Sequence, residues 1–116
     1  MKILIVDDFD DMRRLLRIVL GGKLSAADEV IECADGAEAV ELFRSHRPDY
    51  VLMDVQLKGM DGFTAAEKMY QHDPEARIIF VTSYDTPVFR ARAAAMGAKG
   101  FVPKDNLSEI VRLIQP

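Results

Sequence analysis

KILIVDDFDDMRRLLRIVLGG, residues 2–22, holds the pattern that decides the fold. Residues 2–6 (KILIV) carry, after Lys2, a continuous apolar run that stops at Asp7-Asp8. A strand with one wet face would alternate; this one does not, so it reads as a strand covered on both faces. Met12, Leu15, Leu16, Val19 and Leu20 then fall at helical spacing, and Gly21-Gly22 supplies a stop. The stretch is one strand followed by one helix.

The same unit recurs along the chain. Residues 28–32 (DEVIE) form a weaker, more polar strand. Ala39, Val40 and Phe43 mark a second helix, opened by Asp35-Gly36 and closed before Pro48. Residues 50–53 (YVLM) are a buried strand, and Phe63, Ala66, Met69 and Tyr70 a third helix ending near Asp73-Pro74. Residues 77–81 (RIIFV) are the fourth strand. The fourth helix is capped by Asp85 or Thr86, has Pro87 at its first position and is closed by Gly97. Residues 99–102 (KGFV) form a short fifth strand, and Leu107, Ile110, Val111 and Ile114 a last amphipathic helix. Strands alternating with helices through short loops predict an α/β fold: a doubly wound parallel sheet with right-handed crossovers. Without a linker or repeat, residues 1–116 read as one domain.

Composition narrows the function. With 15 basic and 19 acidic side chains the net charge is −4, the wrong sign for a phosphate-neutralising surface, so direct nucleic-acid binding is not expected. No apolar run approaches the roughly 20 residues that span a bilayer. The single cysteine, Cys33, excludes an internal disulfide and fits a cytoplasmic protein. Cys33, packed under the second helix, and the surface residues His46 and His72 are given no chemistry.

Ligands of open α/β sheets bind at the carboxyl ends of the strands. Strand 1 ends in Asp7-Asp8, strand 3 in Asp54, strand 4 in Thr82-Ser83, and strand 5 runs through Pro103 to Lys104; strand 2 ends at Cys33-Ala34, which offers nothing. Each residue alone has a plain structural explanation. Together they are more informative. Three carboxylates at one edge repel one another, and a hard divalent cation relieves this. A lysine and a threonine beside them can hold the oxygens of a phosphoryl group. The set reads as phosphoryl transfer onto a carboxylate.

IVDDF (5–9), VLMD (51–54), GMDG (59–62), VTS (81–83) and MGAKGFVPK (96–104), in this order, resemble the response regulator receiver domain over essentially the whole chain. DDFDDMRR (7–14) resembles chemotaxis response regulators in particular. The resemblance implies a flavodoxin-like five-stranded sheet of order 2-1-3-4-5 with five helices, as in flavodoxin and the chemotaxis regulator. It implies that Asp54 is the phosphoacceptor and that Asp7 and Asp8 bind magnesium, or manganese in its place, with Asp54 and the Gln56 backbone carbonyl. Thr82 and Lys104 match the residues that contact the phosphoryl oxygens, and Phe101 the aromatic whose rotamer follows Thr82. The implied partners are a histidine kinase or histidine phosphotransfer protein upstream. Downstream, a target protein or a second copy would meet the face of helix 4, strand 5 and helix 5.

Departures from the family pattern are Lys58 where proline is usual, read as an exposed loop lysine, Ser83 in place of a smaller residue, and Asp105 after Lys104 in place of proline. Gln56 and Tyr84 occupy positions that tune dephosphorylation. A phosphatase of the haloacid-dehalogenase type would want a second aspartate where Gln56 stands. A flavin carrier would bring its phosphate against three carboxylates. The alternative kept is a pseudo-receiver, an interaction module that is not phosphorylated. The alanine-rich fourth helix is expected to pack weakly.

Overall fold

The computed structural model describes residues 1–114. Five parallel strands, β1 (Lys2–Val6), β2 (Glu29–Cys33), β3 (Tyr50–Met53), β4 (Ile78–Thr82) and β5 (Gly100–Pro103), lie in the order β2-β1-β3-β4-β5. The helices are α1 (Asp10–Gly21), α2 (Gly36–His46), α3 (Gly62–His72), α4 (Pro87–Ala95) and α5 (Ser108–Leu113). This is the flavodoxin-like arrangement.

Alternate side chains of each central strand enter two separate cores. Leu4, Val6, Val51, Met53, Ile78 and Phe80 pack with residues of α2, α3 and α4. Ile3, Ile5, Tyr50, Leu52, Ile79 and Val81 pack with Leu16 and Leu20 of α1 and Ile110 of α5. Both faces of the sheet are therefore apolar, which explains the unbroken hydrophobic runs in β1, β3 and β4.

Three strands sit one residue later than their sequence patterns predict. β2 begins at Glu29 because the Asp28 amide donates to the Ser25 carbonyl at 3.1 Å and closes a turn, while its side chain accepts from the N-terminal ammonium at 2.6 Å and the Ser25 amide at 2.8 Å. β4 and β5 both extend by one residue, and Thr82 pairs with Pro103. Thr82 is thus the last rung of the sheet and fully buried.

The helix ends also differ in detail. Gly21 is the last residue of α1, and Gly22 stays right-handed at φ −74°, so these glycines end the helix through weak helix preference, without a left-handed cap. In α2 the left-handed cap is Arg47, φ 48°, whose amide donates to the Phe43 carbonyl. Pro48 follows and disfavours helical geometry at Arg47. In α4 the cap is Thr86, which accepts from the Phe89 amide at 3.1 Å. Asp85 is not the cap; it pairs with Arg90. Gly97, at φ 84°, has the left-handed conformation expected after α4. The last helix is shorter than its apolar pattern: Leu107 and Ile114 flank it as caps. Among the described residues no helix is long and apolar enough to cross a membrane.

Candidate functional site: an acidic cluster at the carboxyl edge of the sheet

β1 and β3 are neighbours, and each runs directly into an aspartate. The Asp7 amide donates to the Cys33 carbonyl at 3.2 Å, and the Asp54 amide to the Val6 carbonyl at 3.0 Å. The ladder therefore continues just past the strands and fixes both backbones. Asp7 is 1% exposed and Asp54 5%. One carboxylate oxygen from each of Asp7, Asp8 and Asp54 lies within 4.8 Å of the others.

Lys104 reaches into this cluster from beyond β5. Its Nζ lies 2.9 Å from Asp7 Oδ2 and 2.8 Å from Asp54 Oδ2. Its amide donates to the Thr82 carbonyl at 3.0 Å, so the ends of β4 and β5 carry it into place. The second oxygens of the two buried aspartates accept backbone amides, Phe9 N to Asp7 Oδ1 at 3.0 Å and Gln56 N to Asp54 Oδ1 at 3.3 Å.

Burial and charge pairing compete to set the proton affinities. Desolvation pushes the Asp7 carboxyl up, outweighing the Phe9 amide and the Lys104 ammonium, which pull it down. Burial alone would pull Lys104 down, but hydrogen bonds and charge from Asp54 and Asp7 leave it above the ordinary lysine value.

Asp8 is the exception in this network. Its Oδ1 is buried with no hydrogen-bond partner among the described residues. Leaving a polar atom in that state costs about 1–3 kcal/mol, more for a charged group. Three carboxylates face one ammonium, leaving a formal charge of minus two. Hard oxygen donors, an orphaned carboxylate oxygen and two uncompensated charges fit a divalent cation.

The other residues singled out from sequence lie around this cluster. Thr82 Oγ1 accepts from the Tyr84 amide at 3.2 Å. An open cleft of about 390 Å³ beside it is lined by Thr82, Ser83, Asp85, Pro103, Lys104 and Asp105. Gln56, Lys58, Ser83 and Tyr84 are exposed. Lys58 forms a parallel bridge with Asp35 across neighbouring loops. Phe101 is half-buried on β5, with the Arg90 guanidinium 5.0 Å from its ring centre. A larger groove, about 740 Å³, is lined by Arg44, Arg47, Pro48 and His72 at the ends of α2 and α3; it contains none of the strand-end residues.

Two further neighbours were not legible beforehand. Phe9 is 65% exposed, with its ring centre 6.0 Å from Lys104 Nζ. Its signal, an aromatic directly after an acidic pair, gives no direction for the side chain. Arg13 donates to the Asp7 carbonyl, to Asp10 and, at 3.1 Å, to Glu32. Only the Asp10 pairing, three residues away on one helix, follows from spacing.

The profile of the response regulator receiver domain matches residues 3–115. The chain is 38% identical over 103 residues to the chemotaxis protein CheY of Bacillus subtilis, covering 89% of this chain and 84% of that one. It is 34% identical to the probable transcriptional regulatory protein NarL of Mycobacterium tuberculosis, covering 84% of this chain but only 46% of the relative. Among solved structures, a LuxR-family two-component response regulator from Aurantimonas superposes with a TM-score of 0.85 at 34% identity, covering 96% of this chain and 79% of that one. The CheX–CheY–BeF3–Mg complex of Borrelia burgdorferi gives 0.85 at 26% identity, covering 97% and 85%. The chain belongs to the response regulator receiver domains of two-component signalling.

Proposed function

We propose that this receiver accepts a phosphoryl group on Asp54 from a phosphohistidine of a histidine kinase or histidine phosphotransfer protein. An Asp54 oxygen forms the new P–O bond as the P–N bond breaks, and the imidazole leaves with a proton. When bound, magnesium, or manganese in its place, neutralises phosphoryl charge; Asp7, Asp8, Asp54 and the Gln56 carbonyl would hold it. Lys104 already touches Asp54 at 2.8 Å, so a small displacement carries its ammonium to a phosphoryl oxygen. The Thr82 hydroxyl donates to another. The activity is confined to the protein's own aspartyl phosphate.

The consequence is a shift of conformation. Moving a two-state equilibrium from 1:99 to 99:1 takes about 5.5 kcal/mol. Hydrogen bonds to charged groups contribute about 1.5–3 kcal/mol each, so Thr82 and Lys104 together approach that figure. Phe101 follows Thr82, and the face of α4, β5 and α5 changes toward a target protein or a second copy. Residues 1–116 act as one cytoplasmic receiver domain; in relatives such as NarL the matching region is about half of the chain.

The observation that carries this reading is the buried Asp54 bridged by Lys104 to Asp7, beside an Asp8 oxygen without a partner. A pseudo-receiver would be expected to lack the acceptor, an acidic residue or the lysine; all are present here. Acetyl phosphate with magnesium should add one phosphoryl group by intact mass spectrometry, and Asp54→Asn should add none. Equal labelling of that variant would sink the assignment, and an unlabelled wild type would favour the pseudo-receiver.

A further inference from the structure

α4 is anchored in an unusual way. Of its residues only Ala93 is buried and Phe89 half-buried against the Phe63 ring, and two arginines hold the helix further. Arg92 lies 4.5 Å from the ring centre of Phe63 in α3 and 3.5 Å from Glu67 Oε1. Arg90 lies 5.0 Å from the ring centre of Phe101 in β5. The Arg90 guanidinium is itself fixed through two donors, Nε to Asp85 Oδ1 and a terminal amino group to Asp85 Oδ2 at 3.1 Å. The paired donors hold the guanidinium plane in a way a single contact would not. Its hydrogen bonds hold the Asp85 carboxyl below the ordinary aspartate value, consistent with a pair that stays formed.

The placement of this pair matters. Asp85 sits in the loop directly after Thr82, whose hydroxyl oxygen accepts the Tyr84 amide. From Thr82 the chain of contacts therefore passes through the loop to Asp85, then Arg90, then the face of Phe101. Phe101 is a phenylalanine, so its ring offers no hydroxyl; the negative ring face is the handle by which a cation can hold it.

We infer that Arg90 is a positioning residue for Phe101: held by Asp85, it latches the ring in its resting place, and this latch opposes the switch. The inference deepens the proposed function and rests on it. A cation over a partly exposed ring biases a two-conformer ratio by about two- to five-fold. Removing the latch raises the population of the alternative Phe101 rotamer by that factor. By linkage it tightens binding of a ligand that favours the switched state to a corresponding degree.

The test is NMR of the ligand-free chain with labelled phenylalanine, with Phe101 assigned through Phe101→Leu. Arg90→Ala should change the Phe101 rotamer ratio about two- to five-fold without a matching loss of melting temperature. Asp85→Asn should move the ratio the same way by less. Arg92→Ala loosens α4 at its other anchor and should leave the ratio alone. An unchanged ratio in Arg90→Ala, or an equal change in Arg92→Ala, overturns the latch. A second arm adds beryllofluoride and magnesium. Wild-type protein that shows no response refutes the phosphoacceptor reading, while the ligand-free ratios still decide whether Arg90 positions Phe101. If wild type responds, Arg90→Ala should bind beryllofluoride more tightly; unchanged affinity with an altered ratio overturns the regulatory role.

Discussion

α3 and α4 cover the same face of the sheet and start alike. Each has a side-chain cap, Asp61 accepting from the Thr64 amide at 2.9 Å and Thr86 from the Phe89 amide at 3.1 Å. Their attachments differ. α3 buries Gly62, Phe63, Ala65, Ala66 and Met69, whereas α4 buries Ala93 alone. Gly62 comes so close to the end of β3 that a Cβ there would lie 2.1 Å from the Asp54 carbonyl oxygen. α3 is thus seated on the backbone that positions Asp54, while α4 rests on Ala93, on the half-buried Phe89 against Phe63, and on two arginine–aromatic contacts. Burying a Phe side chain contributes about 1.5–3 kcal/mol, and an alanine far less. One layer of helices therefore has a firm side next to the carboxylates and a lightly held side next to β5.

The largest contrast to test is chemical. Cys33 is buried among residues of α2, and burial pushes its thiol pKa up to about 12. At pH 8 about one part in ten thousand is thiolate, against roughly a quarter for an exposed cysteine. Ellman's reagent should react with wild type only as fast as the fold opens, and rapidly with Cys33→Ala carrying Ala94→Cys on the exposed side of α4. Comparable rates would erase the distinction. The sign for stability follows: the folded thiol holds its proton more tightly than the unfolded one. The fold is unaffected below about pH 8.5 and loses stability as pH rises above it.

Next in size is truncation. Phe63→Ala removes a ring packed against Phe80 and Phe89, with centroids 4.9 and 5.5 Å away, and should cost about 3–5 kcal/mol in urea unfolding. Val88→Ala on α4, where the side chain is 73% exposed, should stay within about 0.5 kcal/mol. Similar costs would break the comparison.

The acidic cluster gives a smaller effect on the firm side. Asp8→Ala removes the unpartnered oxygen and should stabilise the metal-free protein by about 1–3 kcal/mol. Magnesium should raise the melting temperature of wild type and not that of Asp8→Ala. A magnesium response retained by the variant would contradict a metal role for Asp8. Smallest is amide exchange in the free protein, where α4 should exchange about tenfold or more faster than α3, equivalent to about 1.4 kcal/mol. Equal protection would show that Phe89 and the arginine contacts together hold α4 as firmly as burial holds α3.

Much of this molecule was legible in its residues. The apolar runs of β1, β3 and β4 identify buried parallel strands because each is covered on both faces. Thr86, Pro87 and Gly97 punctuate α4 because capping is local chemistry. The one-residue offset of β2, β4 and β5 was not legible, since it is set by what neighbouring chain segments accept. The Asp28 amide is taken by the Ser25 carbonyl in a turn, and Thr82 finds its partner in Pro103.

Residue order alone determined the alternation of strands and helices, and which side chains stand at the strand ends: Asp7, Asp8, Asp54, Thr82 and Lys104. These follow from hydrophobic period and turn chemistry, which act over a few residues. Tertiary structure decided what those side chains do to one another. Only the placement of β3 beside β1 and β5 beside β4 lets Lys104 span Asp7 and Asp54, leaves an Asp8 oxygen alone, and sets Arg90 over Phe101. Burial, charge pairing and stacking depend on distances through space, and the fold alone sets those distances.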